Sequence, residues 1–319
     1  MREGGIARAA GVGLALVVLA VLTGCGRTSE APARPDAAET RERQAYRAEI
    51  EQWRRERLQA LRRPDGWLSL VGLHWIERGP HYAGASGGNG IRLATGPAHL
   101  GMFDLREDGS VRFTPDRRTP VTVNDVPLRG PVVLAGDGGG QPDVLGFDDG
   151  HMSAVLIERG GRVALRVRDA RVAAASPLQA VPAYGIDPAW RIVARFEPHP
   201  EPRTLEIPSV VGTIERMSSP GQVHFEKDGA GFTLQALEGE DGALFLILAD
   251  RTSGHDTYGA GRYLDAPRPD AAGRTVLDFN KAMNPPCAFT AYATCPLPPP
   301  ENRLELAVTA GEKRLPRES

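Results

Sequence analysis

The segment Ser153–Arg159, Gly160-Gly161, Arg162–Asp169 constrains the fold more than any other part of the chain. Two runs of strand-forming residues flank a Gly-Gly pair. A two-residue turn with positive φ at both positions closes such runs into a hairpin. Val163, Leu165 and Val167 alternate with Arg162, Arg166 and Arg168. That period of two predicts one buried face and one wet face. Short runs of the same kind recur from Gly66 onward, broken by Gly, Pro and Asp: Trp67–Ile76, Gly90–Leu93, Met102–Leu105, Ser110–Thr114, Val121–Asn124 and Pro131–Leu134. The spacing predicts an all-β body of sandwich or barrel type. Gly (37) and Pro (27) among 319 residues suit so many turns.

Ser176–Trp190 holds Pro177, Pro182, Gly185 and Pro188 and is the best candidate boundary. A second β region follows it, with runs at Arg191–Glu197, Thr204–Val211, Gln222–Glu226, Phe232–Leu237, Ala243–Asp250, Thr275–Asn280 and Leu304–Ala310. Asp228-Gly229 marks a hairpin turn between two of them. Before all of this, Glu39–Arg63 carries Tyr46, Ile50, Trp53, Arg57 and Leu61 at 3.6-residue spacing, with Leu58 beside them, and Pro64-Asp65-Gly66 ends the pattern. This is one amphipathic helix. Its apolar stripe either packs on the body of the protein or meets an anionic lipid surface.

The N-terminal segment predicts an address. Arg2 and Arg8 precede an apolar run of 11 residues, Val12–Leu22. A spanning helix needs about 20 apolar residues, so the run reads as a secretory signal. Its end, Leu22-Thr23-Gly24-Cys25, resembles a bacterial lipoprotein signal. That resemblance implies lipidation of Cys25 and attachment to the membrane. Gly26 rather than Asp after the cysteine resembles default sorting to the outer membrane, facing the periplasm, in a Gram-negative cell. The expected organisation is a signal over 1–24, a tether over 25–38, the helix over 39–63, a β lobe over 64–176 and a second β lobe over 190–313. The net charge of −2 leaves no electrostatic footprint for nucleic acid. Protein partners stay undefined.

Three stretches carry a family resemblance: Trp67-Leu68-Ser69-Leu70-Val71-Gly72-Leu73-His74-Trp75, the segment Arg251–Arg262, and Asp278–Cys287 continuing to Thr294–Leu304 and Ala310-Gly311-Glu312. Together they resemble the family designated domain of unknown function 1684, over roughly Trp53 to Lys313. The resemblance implies no mechanism. Separately, Tyr82-Ala83-Gly84 through Asn89-Gly90-Ile91-Arg92-Leu93, with Val121–Asn124 later, is similar to the rhythm of forkhead-associated sandwiches. Members of that family bind phosphothreonine through an Arg after the first Gly and a Ser before a His. Here Ala85 follows Gly84 and Pro97-Ala98-His99 replaces the Ser stretch, so only the sandwich shape carries over.

The candidate ligand or catalytic residues are Asp250, Arg251, Ser253, His255, Asp256, Tyr258 and Arg262, joined by Asp278, Asn280 and Asn284. A loop of this composition at the end of an apolar strand either presents polar groups into a pocket or neutralises itself as a structural turn. The strand carrying Asp278 is expected beside the one ending at Asp250, because the connection is short. Two functions follow from the pocket reading. One is a non-catalytic binding or structural module for a small polar ligand. The other is a hydrolase built on this cluster. The spacing of His255, Asp256 and Asp278 matches no metal motif, so neither metal nor cofactor is assigned. With Cys25 lipidated, Cys287 and Cys295 remain in an oxidising compartment, where a disulfide between them is the leading expectation and a reactive Cys287 beside His255 or two reduced, buried thiols are the alternatives.

Overall fold

The computed structural model describes residues 37–316. The signal segment, Cys25 and the tether as far as residue 36 lie outside the described residues. From Glu42 onward the described chain forms one compact unit. Helix α1 spans Ala37–Arg62, so it begins inside the expected tether. Ile50 and Leu61 are fully buried and Tyr46, Trp53, Arg57 and Leu58 are half-buried. The stripe therefore packs on protein, and Lys281 Nζ meets Glu49 Oε1 at 2.6 Å.

Eleven strands follow before residue 170: β1 (Leu70–Trp75), β2 (Gly79–Gly84), β3 (Ile91–Arg92), β4 (Gly101–Leu105), β5 (Val111–Pro115), β6 (Thr122–Val123), β7 (Val126–Pro127), β8 (Val132–Leu134), β9 (Leu145–Phe147), β10 (Met152–Arg159) and β11 (Arg162–Asp169). They form one sheet in the order β1-β11-β10-β9-β6-β7 and another in the order β3-β2-β4-β5-β8. Phe103 and Phe113 of the second, with Leu100 just before β4, meet Phe147, Leu156, Leu165 and Val167 of the first in a single core. The hairpin β10–β11 turns at Gly160 (φ 55°) and Gly161 (φ 74°), the two left-handed positions the sequence predicts.

The expected wet face of β11 is wet only at Arg162, which is exposed. Arg166 is 6% exposed and Arg168 half-buried. Arg166 Nη2 donates to Thr294 Oγ1 at 3.1 Å, and its guanidinium lies 5.4 Å from the Trp67 ring. The outer face of this sheet is covered by the 3-10 turn Trp67–Ser69 and by the later segment around Thr294, which alternation in one strand cannot foresee. Burial lowers the Arg166 pKa to about 10.

A short helix, α2 (Ala170–Ala175), starts directly from β11 because Asp169 caps it, accepting from Arg171 N at 2.9 Å. Arg171 Nε and Nη2 also grip the two Asp169 oxygens at 2.9 and 2.7 Å. These bonds hold the Asp169 carboxyl below its ordinary range. A lowered folded pKa gives stability that is present above the unfolded value of about 4 and is lost as pH falls through the folded one. Asp169→Asn keeps a cap but removes that dependence. Thermal melts should show a wild-type advantage at pH 7 that shrinks as pH falls below about 4 and closes once the folded carboxyl is protonated. An advantage of equal size at every pH would contradict the assignment.

The later strands are β12 (Arg191–Pro208), β13 (Ile214–Lys227), β14 (Ala230–Glu238), β15 (Leu244–Leu248), β16 (Arg262–Ala266) and β17 (Arg274–Asp278), ordered β16-β15-β14-β13-β12-β17. Two predicted runs are thus one strand, β12. Its register against β13 shifts between Pro198 and Arg203, where Pro198 and Pro200 supply no N–H donor. Asp228 and Gly229, both at positive φ, make the β13–β14 turn. The sheet curls into a half-barrel, and Tyr263 and Met283 exchange backbone hydrogen bonds of 2.8 Å beside the β16 edge. Three strands separate β15 from β17, so the expected pairing of those two is corrected. The curl lets β17 close near β16 instead.

The stretch Leu304–Ala310 is not a strand. It is an extended plug whose Leu304, Val308 and Ala310 fill the half-barrel among Trp190, Phe225, Leu264 and Phe279.

Candidate functional site

The loop that leaves β15 begins with Asp250, and every oxygen of its carboxylate is used. Oδ1 accepts from Thr252 N (2.8 Å), Thr252 Oγ1 (2.6 Å) and Val308 N (3.2 Å). Oδ2 accepts from Arg262 Nη2 at 2.8 Å. The first contacts are an Asx-type turn, which any Asp-x-Thr can form locally. The last two come from β16 and from the plug. Arg262 is 0% exposed. Its Nη2 also donates to Val308 O at 2.9 Å, and its Nη1 donates to the carbonyls of Ala310 and Glu312. A guanidinium fork thus neutralises a buried carboxylate and ties down two plug carbonyls and that of Glu312 just beyond. Gly261, at φ 89°, permits this approach: a Cβ there would lie 2.5 Å from Leu248 O.

The remaining candidates do not join this pair. Asp278 and Asn280 form a second group on α1. Tyr46 Oη donates to Asp278 Oδ1 at 2.8 Å, and Asn280 Nδ2 donates to Tyr46 Oη at 2.9 Å and to Asp187 O at 2.8 Å. Burial and the Asp278 carboxylate push the Tyr46 hydroxyl well up, so it is a donor at any ordinary pH. Asn284 belongs to a third group. Its N–H donates to Glu312 Oε2 at 2.6 Å and its Nδ2 to Lys313 O at 2.8 Å, while Arg57 Nε meets Glu312 Oε1 at 3.3 Å. Burial raises the Glu312 carboxyl despite Arg57.

Arg251, His255 and Asp256 are exposed. Arg251 pairs outward with Glu305 at 2.8 Å. Ser253 Oγ accepts from Asp250 N at 3.1 Å and serves the turn. Tyr258 Oη donates to Cys287 O at 3.0 Å. Among the described residues, no hydrogen bond links His255 to Ser253 or Asp256, and no cluster of His, Cys, Asp and Glu could hold a metal ion. The single cluster expected from sequence is thus divided: Asp250 meets Arg262, Asp278 meets Asn280 in a separate group, and Arg251 and Asp256 stay outside both.

Cys287 and Cys295 are free thiols, which corrects the expected disulfide. Cys295 sits among Ile207, Leu237, Ile247 and Tyr263, and its Sγ accepts from Cys287 N at 3.1 Å. The sulfur is used as a hydrogen-bond acceptor in an apolar cluster. Contact with Cys295, then with Tyr258, lowers the Cys287 thiol.

Sequence reasoning missed Tyr46 and Glu312 as members of the polar framework. Tyr46 counted as part of an apolar stripe. Glu312 follows Gly311 at φ 78°, where a Cβ would lie 2.4 Å from Ala282 O, and that Gly-Glu pair was the available signal.

Residues 177–313 match the family described as "Protein of unknown function (DUF1684)". The match begins after the Trp67–Trp75 stretch and after the segment with the forkhead-associated rhythm. A solution NMR structure of an uncharacterised protein of Haloarcula marismortui is 32% identical, over 43% of this chain and 77% of that one, with a TM-score of 0.37. No curated protein matches.

Proposed function

This chain belongs to the DUF1684 family, whose description names no activity, and we propose from its own residues that it is a non-catalytic module of the cell envelope, tethered by lipid on Cys25. The observation that carries the non-catalytic reading is the Asp250–Arg262 pair: it is buried, and its carboxylate oxygens and both terminal guanidinium nitrogens are spent on each other, on Thr252 and on the protein's own main chain, with only the Arg262 Nε left unpartnered. A small polar ligand at that cluster would have to displace the plug. A hydrolase would need a base beside a nucleophile in a pocket, and Ser253 and His255 face different tasks. The motifs that distinguish the chain thus support a structural role in holding residues 282–312 against the half-barrel.

The tether reading is supported by Leu22-Thr23-Gly24-Cys25 and by the polar stretch with Pro32 and Pro35 after it. Among the described residues no helix is long and apolar enough to cross a membrane. Cys25→Ser should abolish incorporation of labelled palmitate and leave an unprocessed precursor. Normal processing and membrane attachment of that variant would sink the proposal, as would turnover of ester or amide substrates that His255→Ala abolishes without loss of stability.

A further inference from the structure

The sheet β3-β2-β4-β5-β8 buries Phe103 and Phe113 on its inner face. Its outer face carries a different set of side chains. Tyr82 stands opposite Met102, and Met102 opposite Thr114. Directly opposed residues of antiparallel strands share a face, so these form one row across β2, β4 and β5. Loops wall this row into a hollow of about 410 Å³, lined by Tyr82, Met102, Asn89, His99, Asp116 and Arg117. That volume lies within the range of small-molecule sites. Tyr82 is 65% exposed, so its ring is an open contact surface in the wall.

The loops are tied to one another. Ser86 N donates to Ala98 O at 3.1 Å, Asp116 N to Leu100 O at 3.1 Å and Thr119 Oγ1 to His99 O at 2.6 Å. A hollow held this way costs little further ordering when it is filled. Its polar groups are not used up by the protein. Asn89 Nδ2 donates to Ser86 O at 3.1 Å and to Ala98 O at 2.8 Å, which spends both its protons, fixes the amide and leaves Oδ1 as an acceptor. Asp116 Oδ1 accepts from Arg118 N at 2.8 Å. Among the described residues no ion pair engages Asp116 or the exposed Arg117.

We propose that this hollow binds a glycan through an N-acetylhexosamine residue. One face of a pyranose ring is a set of C–H bonds, which meets the negative face of an aromatic ring, and Tyr82 offers that face. The acetamido N–H needs an acceptor, which Asn89 Oδ1 provides, and the acetamido methyl needs an apolar contact, which Met102 provides. Sugar hydroxyls both donate and accept, so a carboxylate and a guanidinium in one wall, Asp116 and Arg117, serve them together. A purely anionic ligand would meet the Asp116 carboxylate. A purely apolar one would leave Asn89, Asp116 and Arg117 unanswered. The site stands before the family-matched residues 177–313 and needs neither the tether nor the Asp250–Arg262 framework.

The test titrates the purified full chain with chitobiose, the disaccharide of N-acetylglucosamine, and with cellobiose, which has the same linkage and no acetamido group. Chitobiose should bind at one site per chain and at least tenfold more tightly than cellobiose. Saturation-transfer NMR should show its acetyl methyl among the protons closest to the protein. Tyr82→Ala, an exposed substitution, should weaken chitobiose at least tenfold with an unchanged thermal midpoint, and Tyr82→Phe should retain the affinity. No saturable binding of chitobiose, equal affinity for cellobiose, displacement of chitobiose by inorganic phosphate, or indifference to Tyr82→Ala would each overturn the assignment.

Discussion

Arg262→Ala is expected to destabilise the protein by about 3–5 kcal/mol, the cost of breaking a buried ion pair by removing one partner. Asp250 would keep its turn donors but lose its countercharge, and the carbonyls of Val308, Ala310 and Glu312 would lose theirs. Against a total of about 5–15 kcal/mol for a folded chain, that loss is large. It should appear in urea unfolding as a lower midpoint, and in limited proteolysis as cleavage within 300–312. Arg262→Lys should recover only part of the loss, because an ammonium lacks the planar fork that reaches two plug carbonyls and the carboxylate together. A double variant, Asp250→Asn with Arg262→Met, should lose less than Arg262→Ala, since it leaves no buried charge unpaired. Had these residues been a ligand site, Arg262→Ala would lower stability modestly and abolish binding. A midpoint equal to that of the wild type would remove the structural role.

Asn302→Asp should cost about 2–6 kcal/mol, counting about 1–3 kcal/mol for each buried group left unsatisfied. The ladder between β14 and β15 is short, holding only Leu237 opposite Phe245 and Glu238 opposite Leu244. Where the two strands then part, the Asn302 amide stands between them like a piece of strand. Its Oδ1 accepts from Gln235 N at 2.7 Å, and its Nδ2 donates to Gln235 O and Ile247 O at 2.9 Å each. Asn302 is 1% exposed, so water cannot replace these bonds. Aspartate has the same shape but no donors, and both carbonyls would face an acceptor. Asn302→Ala should lose stability by a similar margin, whereas Glu301→Ala next to it, exposed, should not. Hydrogen exchange at Gln235 should quicken in both Asn302 variants. Unchanged protection there would exclude the bridging role.

The β10–β11 hairpin, the β13–β14 turn and helix α1 were legible because their signals are local. Gly160-Gly161 and Asp228-Gly229 require positive φ wherever they sit, and a 3.6-residue stripe buries one helix face whatever it meets. The strand β16 was not legible, although Arg262–Ala266 is largely buried, because its five residues begin with an Arg and include Asp265, so they show neither an apolar run nor a clean alternation. Arg166 was assigned to solvent because period two separates the two faces of a strand and does not say what covers each.

The candidate site divides along the same line. The sequence marks Asp250, Arg262, Asp278, Asn280 and Asn284 as polar groups beside apolar strands and leaves open whether a ligand or the chain itself satisfies them. Their partners come from far along the chain: Val308 for Asp250, Ala310 for Arg262, Tyr46 for Asp278, Lys313 for Asn284. A buried carboxylate needs donors, and it is satisfied equally by a ligand or by a distant loop. Only the folded chain decides which of the two arrives. Here the curl of the six-stranded sheet leaves a trough that residues 303–312 enter, and the backbone of that segment takes the place a ligand would have held.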